Sequence, residues 1–166
     1  AGALGASMTG QMASSWTGAA VPANAAIVAS KTAGTNGEAV QQFVISSTGS
    51  ITSTAMDLCR RDTNLGTNDL AVGRKVRAVA CLDIDAGATG LYEIDVYAAA
   101  GTITARCGSQ AAAFAETKMQ IDAVTDGVYI SEAITIPSGA TSVRLAVRAY
   151  FAGGSASATV RVKWCK

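Results

Sequence analysis

Four carboxylates stand in two closely spaced pairs, Asp83 with Asp85 and Glu93 with Asp95. An acid and a base or nucleophile at suitable separation are all that glycosidic hydrolysis requires. On strands, residues two apart point the same way, so each pair shares a face. The competing reading, a polar sheet face whose carboxylates are solvated or paired with arginine, is the commoner one. Histidine is absent from the chain, which removes Ser-His-Asp and Cys-His nucleophile systems and every histidine-bearing metal site. Gly153-Gly154-Ser155-Ala156-Ser157 lacks the closing glycine of a nucleophile elbow. Neither a G-x-G-x-x-G nor a Walker sequence occurs. Asp62, Asp83 and Asp85 offer oxygen ligands to a structural calcium, but without the spaced acidic loop of an EF-hand. No cofactor is implied. Cys59, Cys81, Cys107 and Cys165 form no C-x-x-C pair, which disfavours a zinc knuckle or a thioredoxin-like site. Disulfides outside a cell and buried free thiols both fit that count. Cys107 shares the parity of Ile103 and Ala105 and reads as core.

The elements that must position these groups read as strands. Val76, Ala78, Ala80, Leu82 and Ile84 alternate with Lys75, Arg77, Asp83 and Asp85. Tyr92, Ile94, Val96 and Ala98 alternate with Glu93, Asp95 and Tyr97. Val143, Leu145, Val147 and Phe151 oppose Arg144, Arg148 and Tyr150, and Val160, Val162 and Trp164 oppose Arg161 and Lys163. Such period-two patterning marks half-buried strands of antiparallel sheets. Further strands are expected near Met8 to Met12, at Ile27 to Lys31, Val40 to Ser46 and Ile51 to Leu58, and twice within Lys118 to Ile136, where Asp126-Gly127 reads as a turn. Arg60 to Asn68 lacks periodicity and reads as a long exposed loop, while Gly108 to Thr117 is alanine-rich enough for a helical turn. The fold expected is all-β, an antiparallel β-sandwich of jelly-roll type, in one domain over residues 1–166.

The formal net charge of +1 gives no long-range field, and the basic residues are spread along the chain. Nucleic acid is therefore not the expected partner. No apolar run reaches the roughly 20 residues of a membrane helix, and Ala1 to Ser15 lacks the basic start and apolar core of a signal peptide. The chain begins without Met and its last strand runs nearly to the end, as in a module cut from a longer protein.

Ala71-Val72-Gly73-Arg74-Lys75-Val76-Arg77-Ala78-Val79-Ala80 resembles the strand entry of jelly-roll carbohydrate-binding modules. Ile134-Thr135-Ile136-Pro137-Ser138-Gly139-Ala140-Thr141-Ser142-Val143-Arg144-Leu145 is similar to another passage of the same modules. Met8-Thr9-Gly10, Ser15-Trp16-Thr17 and Ser30 to Gly37 resemble versions found in phage and phage-like particle proteins. The resemblance implies a non-catalytic domain that holds a polysaccharide or a host surface glycan, located outside the cell or on a virion surface. The ending Val162-Lys163-Trp164-Cys165-Lys166 departs from relatives whose last strand carries Asp or Asn, which argues against a family-type calcium there.

Sugars present apolar C–H faces beside hydroxyls, so a site combines an aromatic platform with planar hydrogen-bonding groups. Arg77, Glu93, Asp95, Tyr97, Arg144, Arg148 and Tyr150 all fall on the polar parity and are the candidate ligand-binding residues. Trp16, in a polar stretch, fits a platform or an edge cap. Two alternatives stay open: Arg144 and Arg148 making cross-strand ion pairs with Glu93 or Asp95, and the whole face packing against symmetry mates as a structural or oligomerisation domain of a virion fibre. Trp164 is assigned to the core with Val160 and Val162.

Overall fold

The computed structural model describes residues 2–34, 37–67, 69–106 and 124–166, and these form an antiparallel β-sandwich with no helix among them. The strands are β1 (Met8–Gly10), β2 (Ala25–Ala33), β3 (Ala39–Ser47), β4 (Thr54–Asn64), β5 (Lys75–Val76), β6 (Val79–Ile84), β7 (Leu91–Ala100), β8 (Ile103–Arg106), β9 (Val124–Ile130), β10 (Ile134–Thr135), β11 (Ser142–Phe151) and β12 (Ser157–Cys165). One sheet has the order β1-β2-β3-β12-β6-β9, the other β4-β11-β7-β8, and β5 and β10 form a separate ribbon. Every pairing between these strands is antiparallel except β1 with β2.

Alternation explains why the sheets close on each other. Phe43, Ile45, Val160, Val162, Ala80 and Leu82 from the larger sheet meet Met56, Leu58, Ile94, Val96, Val147 and Phe151 from the smaller in one continuous core. The expected apolar parities of Ala78 to Ile84, Ile94 to Ala98 and Val143 to Phe151 are the inward ones. The side chain of Tyr92, Cys107 and the expected helical turn at 108–117 lie outside what the structure describes.

Two expected connections are strands instead. Arg60 to Asn64, read as loop, completes β4 by pairing with Ser142 to Ala146 of β11. Its sequence lacks alternation because this end of the strand outlasts the core: Arg61, Asp62 and Asn64 are exposed on both faces. Asp126-Gly127, read as a turn, lies inside β9, where the register with β6 shifts between Leu82 and Ile84. Asp126 has φ 54°, so the residue type that tolerates a left-handed backbone serves a bulge rather than a reversal.

Candidate functional site

The smaller sheet gathers six of the eight candidate residues on the face turned away from the core. Arg148 lies opposite Asp95, Tyr150 opposite Glu93 and Arg144 opposite Ala99, while Tyr97 of β7 lies opposite Ala146. This face is not an open platform: Glu93, Asp95, Tyr97 and Tyr150 are all buried, at 1–4% exposure. Arg148 reaches Asp57 on β4, its Nε donating to Oδ1 at 2.7 Å. The Tyr97 hydroxyl donates to Asp57 Oδ2 at 2.9 Å and accepts from Arg148 Nη2 at 2.9 Å. The guanidinium carbon also lies 4.5 Å from the Tyr97 ring centroid. Asp57, Tyr97 and Arg148 thus form a closed triangle from three adjacent strands. Arg144 makes a two-pronged pair with Asp62, Nε to Oδ1 at 2.7 Å and Nη2 to Oδ2 at 3.3 Å. The sequence signal for Asp57 was faint, since it stands on an apolar strand; a lone acid there is nonetheless a residue that must be paired when buried.

Burial and the neighbouring Asp57 carboxylate push the Tyr97 phenol up from 10.0 to about 12. Burial likewise raises the Cys165 thiol from 9.0 to about 12, and a hydrogen bond to Asp126 raises the Lys163 ammonium. Each group holds its proton more tightly in the folded chain than in the unfolded one. Their stabilisation is therefore complete below the unfolded value and lost as pH climbs to the folded one. Unfolding free energy from urea titrations is expected to fall above pH 9, with the tyrosine's share lost between 10 and 12. Tyr97→Phe should flatten that last interval; a variant curve running parallel to wild type through it would refute the assignment.

The outer face of the larger sheet holds the other carboxylate pair. Asp85 receives both arms of Arg161, with Nη2 to Oδ2 at 2.9 Å, and its pKa is lowered by that hydrogen bond. Lys163, its side chain only 5% exposed, contacts Asp126 and lies 3.4 Å from both Asp83 and Glu38. Asp83 Oδ1 also accepts the Asp126 amide at 2.7 Å. The carboxylates proposed for calcium, Asp62, Asp83 and Asp85, therefore each carry a cationic side chain in the ligand position. Cys59, Cys81 and Cys165 are free thiols.

Trp164 does not join the core. The register of β12 with β6 shifts between Val162 and Trp164, so the extra residue reverses the parity beyond it. Trp164 is left 40% exposed. Its neighbour in a cavity of about 230 Å³ is Trp16, with Gln41, Lys163, Cys59 and Cys165 among the other lining residues. Trp16 reaches this place because the leading segment bridges the sheets. Gln41 accepts the Ala13 amide at 2.7 Å and donates to the Gln11 carbonyl at 3.1 Å, and Thr17 exchanges backbone bonds with Arg60 on the free edge of β4 at 2.9 and 2.8 Å. The Lys166 ammonium lies 5.4 Å from the Trp164 ring centroid. Arg77, the remaining candidate, is exposed just beyond β5.

No family model matches the chain, and no curated protein or solved structure matches it.

Proposed function

We propose that this chain is a non-catalytic glycan-binding module built on a jelly roll, of phage or phage-like origin and working on a virion surface or outside the cell. The strand orders support the jelly-roll reading: β3-β12-β6-β9 faces β4-β11-β7-β8, and the chain crosses between sheets from β3 to β4, β6 to β7, β8 to β9 and β11 to β12, the interleaving of two Greek keys. The observation that carries the binding reading is Trp164, turned outward by a bulge and sharing a cavity with Trp16. An exposed indole beside a concavity is a stacking surface for the apolar face of a sugar ring. The non-catalytic reading rests on the carboxylates, since Asp83 and Asp85 are engaged by Lys163 and Arg161 while Glu93 and Asp95 are buried on the other sheet.

Affinity gel electrophoresis against soluble polysaccharides and bacterial surface glycans tests this. Retardation by one glycan class should weaken by about tenfold in Trp164→Ala and in Trp16→Ala, with cooperative unfolding retained. Unchanged migration of the wild type across the panel would sink the reading.

A structural role is the second reading, favoured by Val128 and Ile130, which are 55% and 49% exposed on β9. Among the described residues that strand pairs with β6 alone, and an edge strand with apolar side chains is a surface for self-association. A stable trimer by light scattering, with no glycan bound, would decide for assembly.

A further inference from the structure

The basic residues are spread along the chain, but among the described residues not all of them have an acidic partner. Asp57, Asp62, Asp83, Asp85, Asp126 and Glu38 take up Arg60, Arg144, Arg148, Arg161 and Lys163 in ion pairs. Arg74, Lys75 and Arg77 are left: all three are exposed and none forms an ion pair among the described residues. Glu132 and Asp69, the carboxylates nearest along the chain on either side of the ribbon, pair with none of them. Lys31 and Arg61 are single exposed charges, whereas here three of four consecutive residues are cationic.

The backbone carrying them is fixed. Val76 packs against the core between them, and β5 pairs with β10. Gly73 donates to the Ile136 carbonyl and Ile136 to that of Arg74, both at 2.9 Å. Ala78 donates to Ser131 Oγ at 2.9 Å, and the Ser131 amide returns a bond to the Ala78 carbonyl at 2.8 Å. One residue further, Val79 and Lys166 exchange backbone hydrogen bonds at 2.8 Å each, which sets Lys166 beside the exit of the ribbon and its ammonium over Trp164. The backbone thus carries Arg77 to within two residues of the Val79 position that pairs with Lys166. Exposed positive charges without ion-pair partners on a fixed backbone, with a further ammonium over a sugar-stacking ring, are complementary to a chain that carries its own negative groups.

We propose that Arg74, Lys75 and Arg77, with Lys166, bind an anionic polysaccharide through its sulfate or carboxylate groups. This rests on the glycan-binding reading and names its ligand class. A nucleic acid is disfavoured because cations confined to one short ribbon and Lys166 do not make the extended basic stripe that a phosphate backbone requires.

Affinity electrophoresis through dextran sulfate and through uncharged dextran separates charge from backbone, and polygalacturonate separates carboxylate from sulfate. Retardation by at least one of the two anionic polymers, beyond that by dextran, is expected. It should weaken with added salt and by about tenfold in the Arg74→Gln/Lys75→Gln/Arg77→Gln variant. Arg77→Gln alone should give a smaller loss, and thermal unfolding should match wild type in both because the side chains are exposed. Migration in both anionic polymers equal to that in dextran, or unaffected by the triple variant, would overturn the proposal. Equal retention by a short duplex DNA would overturn the polysaccharide assignment. A neutral glycan bound through Trp164 and indifferent to the charge variants would leave the module's function standing and remove this inference. Charge-dependent retention that survives Trp164→Ala would keep the strip and remove the stacking site.

Discussion

Asp57→Ala is expected to cost about 3–5 kcal/mol, because it leaves the partly buried guanidinium of Arg148 without its counter-charge. For a domain of this size that corresponds to a fall in melting temperature on the order of 10 °C or more. Asp57 is 3% exposed and accepts from both Arg148 and Tyr97, so water cannot readily replace it. The same geometry predicts strong coupling. Removing both charges in Asp57→Ala/Arg148→Met should cost less than the sum of the two single changes, since no orphaned ion remains. Tyr97→Phe, which removes only the hydroxyl, should cost about 1 kcal/mol. Chemical denaturation of the four variants reads this directly; a loss below about 1 kcal/mol for Asp57→Ala would mean that the triangle is solvated and the closed network is wrong. It also follows that Tyr97→Ala or Arg148→Ala would report on folding before it reported on any ligand.

Gly90→Ala should be nearly as damaging for a different reason. Gly90 lies between β6 and β7 with φ 71°, and a Cβ there would stand 2.1 Å from the Ser155 carbonyl oxygen and 2.5 Å from the Ala156 Cα. Both obstacles are backbone of the loop between β11 and β12, and that loop is tied down. Ala152 donates to the Gly90 carbonyl at 2.9 Å, and Thr89 and Ser157 exchange hydrogen bonds at 2.8 and 3.0 Å. The expected loss is about 3 kcal/mol, combining left-handed strain with displacement of a packed loop. Gly87→Ala is the control: its φ is 79° but nothing lies within 4 Å of the added carbon, so only the conformational cost of about 1–2 kcal/mol applies. Equal losses in the two variants would show that the close approach at Gly90 carries no energetic weight.

The strands themselves were legible residue by residue. Alternation is a local property, imposed by a pleat that sends successive side chains to opposite faces, so Ala80, Leu82, Val96, Val147 and Val160 could be assigned inward without knowing any partner. The all-β sandwich follows from several such runs and the lack of any long helical one. The turn chemistry was legible only as residue type: Asp126-Gly127 does adopt a left-handed backbone, but in a bulge.

What the tertiary structure decided is everything that depends on register. A single inserted residue at Lys163 reverses the parity of β12 and turns Trp164 from an expected core residue into an exposed ring. The register shift between Val147 and Arg148 sets Arg148 opposite Asp57 rather than Leu58, so the arginine meets a carboxylate ninety-one residues away. Polar parity likewise carried no information on burial, and Glu93, Asp95 and Tyr150 proved buried on the face that their sequence marked as solvated. The spacing of apolar and polar residues determines that strands form and which side each presents. Which side chains meet, which cations are neutralised and which are left over are set by inter-strand register and bulges, quantities that local periodicity does not encode.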